Sequence, residues 1–263
     1  MEITGYSASI FIGISLGIIG GGGSILTVPV LVYLFSVDTF LATTYSLFVV
    51  GSTSLVGSFS YFKNGFVDSK TALFFGIPSI IAVFLTRHYI LPAIPEHVMK
   101  IGDFELSRSI LLMVFFAGLM IFASYSMIKK DKKESAAITK PANIIPIIAQ
   151  GLIVGVITGL IGAGGGFLII PALVNLLKLP IKTAIGTSLI IIAVNSLMGF
   201  GFSLGYFPID WQFLLTVTLF AVAGIFIGMY LSTKIDAKKL KPAFGWFVLV
   251  MGIYILIKET ILK

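Results

Sequence analysis

The stretch Gly13–Val32 reads GISLGIIGGGGSILTVPVLV, and the stretch Gly155–Val174 reads GVITGLIGAGGGFLIIPALV. At a fixed offset of 142 residues they are identical at ten of twenty positions without a gap. The same offset continues to align identical residues as far as Asp68 and Asp210. One register kept over more than fifty residues indicates that the chain arose by internal duplication.

Composition places both copies in a membrane. Of the 263 residues, 57% are hydrophobic and 11% are charged, and the mean hydropathy is +1.08. Uncharged runs of about 20 residues are long enough to cross a bilayer. The net charge of +7 lies in short lysine clusters without interleaved aromatic residues, so it indicates cytoplasmic loops rather than nucleic-acid binding. The sequence predicts a multi-pass protein of the cell (inner or plasma) membrane.

The pattern of apolar segments predicts an all-α polytopic membrane protein. The segments fall at about 6–35, 40–62, 70–90 and 109–128, and again at about 143–175, 183–206, 210–233 and 242–260. We therefore expect a first repeat over 1–128, a cytoplasmic linker over 129–142 and a second repeat over 143–263. The stretch Leu91–Arg108, which contains two prolines and several charges, is expected to be an extramembrane loop.

The distribution of basic residues favours inverted repeats. If all eight segments crossed the membrane, nine Lys and Arg would lie on each side, against the usual cytoplasmic excess. If 6–35 and 143–175 instead enter and return on one side, thirteen lie inside and five outside, with Arg87 among the five. Each repeat would then be one re-entrant or broken helix plus three transmembrane helices, and the repeats would be inverted. A long, tilted, glycine-kinked single span is the alternative for each of these two segments.

The contiguous glycines predict helix breaks that bind an anion. Glycine in a helix interior costs about 1 kcal/mol relative to alanine, so four or five together should end the helix. The half-helix that follows presents free backbone N–H groups and the positive end of its dipole. The candidate ligands from the two breaks are Gly20, Gly22, Gly23, Ser24, Gly162, Gly164, Gly165 and Gly166. Close helix packing is the alternative role for glycines, and it accounts best for the spaced pairs Gly13/Gly17, Gly155/Gly159 and Gly224/Gly228.

Polar residues downstream of the breaks are further candidates. Ser46 and Ser188 occupy matching positions, and Thr187 and Asn195 lie close to them. Such hydroxyls can instead bond to a carbonyl one turn earlier. An absence of acidic residues from the middle of the apolar segments argues against a cation carrier. Without cysteine, and with only two histidines near membrane edges, the chain is expected to hold no metal or cofactor and not to be an enzyme.

The doubled glycine motif resembles the TauE/SafE family of membrane permeases. The motif runs from Gly13 to Pro29 and again from Gly155 to Pro171, and the stretch Ala184–Leu189 is similar to the small-hydroxyl signature of that family. The resemblance covers nearly the whole chain and implies transport of sulfite, sulfoacetate or related sulfur anions. In the first half, Thr44-Tyr45-Ser46-Leu47 stands where the second half has Gly186-Thr187-Ser188-Leu189, so strict symmetry of the site is not expected.

These observations together predict a secondary transporter that works by alternating access. Its expected partners are a small anionic substrate and the lipid bilayer, with no nucleic acid, and self-association into a homodimer is left open. The alternatives are a passive anion channel, a permease for a carboxylate or a neutral organosulfur solute, and a scaffold without transport.

Overall fold

The computed structural model describes residues 2–101, 104–128, 144–175, 177, 179–205, 208–232, 234 and 237–260. The predicted linker 129–142 lies outside them. The described helices are α1 Glu2–Ile19, α2 Thr27–Tyr33, α3 Thr39–Lys63, α4 Ser69–Leu85, α5 Leu91–Ala93, α6 Arg108–Ile128, α7 Ile144–Ile161, α8 Gly166–Asn175, α9 Ile181–Gly201, α10 Trp211–Ser232 and α11 Ala237–Thr260. A 3₁₀ helix (Gly20–Leu26) joins α1 to α2, and a π-helical turn (Thr86–Ile90) joins α4 to α5. The predicted loop Leu91–Arg108 begins with α5 and continues as a small antiparallel hairpin, β1 His97–Ile101 and β2 Phe104–Ser107.

The helices confirm an all-α polytopic membrane protein. Among the described residues, six helical stretches are long and apolar enough to cross a bilayer, namely Thr39–Lys63, Ser69–Ala93, Arg108–Tyr125, Ile144–Ile161, Ile181–Gly201 and Trp211–Ser232. Large apolar side chains on their outer surfaces are exposed, as lipid contact requires; Ile145, for example, is 80% exposed. One of the six was not expected as a separate crossing: α7, predicted to be one arm of a re-entrant segment, is long and apolar enough to cross a bilayer by itself. It runs for 18 residues before its break.

The predicted helix breaks are present at both glycine clusters. The first helix ends at Ile19 and the seventh at Ile161, and each is followed by a glycine in the left-handed region, with φ of 71° at Gly20 and 75° at Gly162. Such a backbone costs an L-residue with a side chain about 1–2 kcal/mol, so glycine is required there. We call the segments Gly20–Leu26 and 162–165 the first break and the second break.

At the first break the chain folds back on the helix it has just left. Gly23 packs against the backbone of Ser15 and Leu16. At the other end of the segment, the ring of Phe35 lies against Gly5, and its centroid is 5.4 Å from that of Tyr6. The segment is therefore a hairpin with its two arms side by side, which a single kinked span would not produce.

The second break reverses the chain in the same way. Gly165 lies against Thr158 and Val154 of α7, the helix that precedes it. Both segments thus have the hairpin form that the re-entrant interpretation requires. The side of the membrane on which each hairpin opens stays a prediction.

Helix packing repeats between the two halves with exchanged partners. Equivalent helices begin at the same offset of 142 residues: α1 and α7, α3 and α9, and α4 and α10. α1 packs along α10, and its equivalent α7 packs along α4, the equivalent of α10. α3 packs on its own equivalent α9, and α6 packs on α11. A pseudo-two-fold axis between the halves produces this pattern, which supports the predicted repeats; their inversion across the membrane stays a prediction.

The spaced glycines serve helix packing, the alternative role considered for them. A side chain at Gly224 would overlap the Ile10 carbonyl and lie 3.0 Å from the Gly13 Cα atom, and Gly228 meets Gly17 in the same way. Glycines on both helices therefore let α1 and α10 approach backbone to backbone. Gly155 of α7 is covered correspondingly by α4, and Gly159 by Thr86 of the π-helical turn that follows α4.

Candidate functional site

The two breaks meet each other inside the protein. Gly21 of the first break contacts Gly166, the first residue of α8, so closely that a side chain on either would overlap the backbone of the other. The side chain of Ile192 in α9 packs on both glycines. The convergence of the two breaks, predicted from the duplicated glycine runs, is therefore present in the fold.

The second break carries polar groups from two neighbouring helices. A side chain at Gly164 would lie 2.9 Å from the Ser196 hydroxyl oxygen of α9, and Gly165 lies against the Thr158 hydroxyl of α7. Next to them α8 begins, a helix of ten residues. The first backbone N–H groups of a helix lack carbonyl partners within it, and they lie at the positive end of its dipole.

Both of these hydroxyls are buried and lack a partner among the described residues. Ser196 is 0% exposed and Thr158 is 1% exposed, and neither side-chain oxygen forms a hydrogen bond with a described residue. Leaving a buried hydroxyl unsatisfied costs about 1–3 kcal/mol. Ser46 and Ser54 of α3 are unpartnered in the same way, so the centre of the protein holds several polar groups without partners in the described part of the chain.

Several predicted ligands have local contacts, and ligand binding by them stays a prediction. Gly20, Gly22 and Gly23 lie in the 3₁₀ helix, where the Ser24 hydroxyl donates to the Gly21 carbonyl at 2.7 Å. The Ser188 hydroxyl donates to the Ile185 carbonyl at 2.8 Å, which is the back-bonding alternative considered for it.

Thr187 has a role at a helix end. Its hydroxyl accepts a hydrogen bond from the Asp68 backbone N–H at 2.9 Å, at the start of α4. The equivalent residue in the first half, Tyr45, accepts from the Asp210 N–H at 2.8 Å, at the start of α10. The matching positions therefore hold the aspartates that cap α4 and α10, since the Asp68 and Asp210 side chains accept from the Thr71 and Phe213 N–H groups.

Asn195 faces the protein interior, as its polarity predicts. It is 0% exposed, and its side-chain amide donates to the Ser79 hydroxyl of α4 at 2.6 Å. Its carbonyl oxygen has no described partner. The amide therefore bridges α9 and α4 with one of its two N–H donors, and its role as a ligand stays a prediction.

Sequence reasoning missed two buried charged residues. Arg87, which the count of basic residues places on the outer side of the membrane, is only 2% exposed and lies inside the protein. Glu259, near the end of α11, is 3% exposed and accepts a hydrogen bond from the Tyr33 hydroxyl at 2.9 Å. No residue pattern distinguishes either from a charge at a helix end. Among the described residues, no group of three His, Cys, Asp or Glu is placed to hold a metal ion.

Comparison with known proteins points to one family. The family model described as "Sulfite exporter TauE/SafE" matches residues 6–255. The chain is 26% identical over 251 residues to a "Probable membrane transporter protein" of Xylella fastidiosa, covering 93% of this chain and 91% of that protein. It is 25% identical over 270 residues to a similarly named protein of Methanocaldococcus jannaschii, covering 94% of each, and 26% identical over 252 residues to "Probable membrane transporter protein YdhB" of Bacillus subtilis, covering 93% and 96%. No solved structure matches the chain.

Proposed function

Because this chain belongs to the sulfite exporter TauE/SafE family, we propose that it is a secondary transporter for small sulfur-containing anions such as sulfite or organosulfonates. The coarser statement, a multi-pass membrane permease and not an enzyme, follows directly from the family and from the apolar helices. The proposal adds the substrate class, the site and the mechanism.

The arrangement at the second break carries the proposal. The N–H groups of Leu168 and Ile169 donate to the Gly165 carbonyl, so the donors that the first turn of α8 offers are the N–H groups of Gly166 and Phe167, at the positive end of the helix dipole. Ser196 and Thr158 add two buried hydroxyls without described partners. An oxyanion accepts hydrogen bonds from N–H and O–H groups without requiring a cationic side chain. The proposed site therefore consists of Gly164, Gly165 and Gly166 with the two hydroxyls. Gly21 closes it from the first break.

Alternating access is the mechanism that this packing supports. The two hairpins contact each other at the breaks, and the rest of each half is bound to the other by exchanged helix pairs. A small rocking of one half against the other would open the contact between Gly21 and Gly166 toward one side at a time. The sequence has no nucleotide-binding motif, so we propose that a gradient of substrate or ion drives transport.

Uptake by reconstituted vesicles tests the substrate. Purified protein in liposomes is given sulfite, thiosulfate, methanesulfonate, acetate or a neutral organosulfur compound at constant ionic strength, and accumulation is compared with empty liposomes. We expect at least one sulfur oxyanion to be moved. Movement of acetate or of the neutral solute alone would replace the substrate class, and conductance without carrier-type exchange would identify a channel.

A variant at the break tests the site. Gly164 has φ of 66° and lies against Val50 and Ser196, so Gly164→Val strains the backbone and fills the site. We expect transport to be lost. Normal transport by Gly164→Val would contradict the proposed site while leaving the substrate class intact.

A further inference from the structure

Arg87 is a buried cation at the end of α4. It lies in the π-helical turn Thr86–Ile90 inside the membrane-spanning stretch Ser69–Ala93, and only 2% of its surface is exposed. A charged side chain inside a membrane protein is expensive to bury, and such residues usually face a functional site. Its burial therefore needs a compensating partner.

Among the described residues, the hydrogen-bond partners of Arg87 are neutral hydroxyl and carbonyl groups. Nη1 of Arg87 donates to the Thr44 hydroxyl at 3.2 Å and to the Ser203 hydroxyl at 3.4 Å, and Nη2 donates to the Thr43 carbonyl at 3.4 Å. All three hydrogen bonds are long for charge-assisted ones. No carboxylate is among these partners, and Nε has no partner among the described residues.

Two donors of the guanidinium have no partner among the described residues. Arginine has five N–H groups, and the three bonds above leave Nε–H and one N–H of Nη2 free. Nε and Nη2 form the side-on fork that binds two oxygens of one oxyanion in a bidentate manner. The buried Thr86 hydroxyl, on the adjacent residue, is also unpartnered.

The Arg87 guanidinium is next to the second break. The Thr43 carbonyl that accepts from Arg87 is the same group against which Gly162 packs. Thr86 in turn packs on Gly159, in the last turn of α7 before that break. One layer of backbone thus separates the guanidinium from the glycines of the second break.

The arginine has no equivalent at the first break. At the offset of 142, Arg87 corresponds to Met229, Thr43 to Ile185, and Thr44 to Gly186. The first break is indeed covered by the side chain of Ile185, an apolar group. A buried cation therefore lies beside the second break and not at the equivalent position beside the first break.

From these observations we infer that Arg87 forms a second oxyanion-binding position, beside the second break, which takes a small sulfonate- or sulfite-like oxyanion in bidentate fashion. It would hold the anion on its way to or from the hydroxyl site, and it gives the two ends of the transport path different affinities. This inference rests on the proposed anion transport, but binding alone can test it.

The test measures anion-induced thermal stabilisation of the purified full chain in detergent. Methanesulfonate, sulfite and acetate are compared with chloride at constant ionic strength, since chloride cannot bind in bidentate fashion. The variant Arg87→Met introduces the residue found at the equivalent position 229. Arg108→Met is the matched control, because Arg108 donates to the Ile94 carbonyl and lies over the Phe40 ring, and neither contact is with a residue of the breaks.

We expect wild-type protein and Arg87→Met to differ in ligand response rather than in folding. Arg87→Met should lower oxyanion affinity at least tenfold and keep or raise the melting temperature without ligand, because an unpaired buried charge is removed. Arg108→Met should respond as wild type. Equal oxyanion stabilisation of Arg87→Met and wild type would overturn the inference, and so would a wild type that no oxyanion stabilises.

A second variant covers the case in which Arg87→Met does not fold. Arg87→Lys keeps the charge and loses the fork, so oxyanion affinity should fall several-fold while any chloride response is unchanged. Unchanged oxyanion affinity in Arg87→Lys would contradict bidentate binding. A further outcome is that acetate is the one anion that stabilises wild type, with a stabilisation that is lost in Arg87→Met. That result would support the oxyanion position at Arg87 and contradict the sulfur substrate, so the two proposals can be distinguished.

Discussion

At the scale of single residues, two serines of α9 use their hydroxyls in opposite ways. The Ser188 hydroxyl donates to a carbonyl of its own helix, whereas the Ser196 hydroxyl lies at Gly164 and has no described partner. Both side chains are completely buried. Replacing each serine by alanine therefore distinguishes the effect of losing a ligand contact, at Ser196, from the effect of losing a buried serine hydroxyl, at Ser188.

We predict that Ser196→Ala weakens anion binding about tenfold, because a hydrogen bond to a charged group contributes about 1.5–3 kcal/mol. Stability without ligand should be unchanged or about 1 kcal/mol higher, since an unsatisfied hydroxyl is removed. Ser188→Ala should retain anion affinity. Titration of the thermal shift measures both quantities, and equal affinities in the two variants would argue against the Ser196 contact.

Individual side-chain roles were the hardest feature to predict from sequence. The matched positions of Ser46 and Ser188 suggested ligands, yet the Ser188 hydroxyl bonds within its own helix, and the Thr187 hydroxyl accepts from the Asp68 backbone N–H. Duplication preserves structural caps as readily as ligands, so recurrence alone does not distinguish them. The burial of Arg87 depends on Thr43, Thr44 and Ser203 meeting around it, and such tertiary contacts leave no local pattern.

At the scale of elements, α1 and α10 pack backbone to backbone. Gly13 and Gly17 face Gly224 and Gly228, and the backbones touch without intervening side chains. A methyl group at Gly224 would overlap the Ile10 carbonyl. The helices would have to move apart to admit it.

We predict that Gly224→Ala destabilises the protein by about 1–3 kcal/mol through overpacking. Gly118→Ala is the matched control, since Gly118 lies inside α6 with open space where the methyl group would go. That change should be neutral or stabilising by up to about 1 kcal/mol through helix propensity. Unfolding in detergent compares the two; a Gly224→Ala protein as stable as Gly118→Ala would contradict the described contact.

Helix breaks were predictable at this scale because their cause is local. Contiguous glycines such as Gly164 and Gly165 disfavour a helix wherever they occur, and both adopt positive φ. The 18-residue length of α7 was less predictable, because only the fold shows that its hairpin has one long and one short arm.

At the scale of the whole molecule, the offset of 142 residues predicted which elements correspond, and the exchanged packing of α1, α4, α7 and α10 agrees with it. Orientation in the membrane depends instead on counting lysines. Several of these lie in the linker 129–142, outside the described residues. Inversion therefore needs its own test.

We predict that the turns after α3 and α9 lie on opposite sides of the membrane. Asn64 and Leu204 are exposed in these turns, and the chain has no cysteine of its own. In intact cells, a membrane-impermeant thiol reagent should label Leu204→Cys but not Asn64→Cys, which should react only after permeabilisation. Labelling of both from the same side would exclude inversion.

The central claim is that this protein carries a small sulfur oxyanion through the second break by alternating access. Counterflow in proteoliposomes tests it most directly: vesicles loaded with unlabelled sulfite are diluted into a trace of labelled sulfite. We predict transient accumulation of label above equilibrium, much reduced in Ser196→Ala and preserved in Ser188→Ala. Label that only equilibrates, or accumulation equal in both variants, would contradict the account.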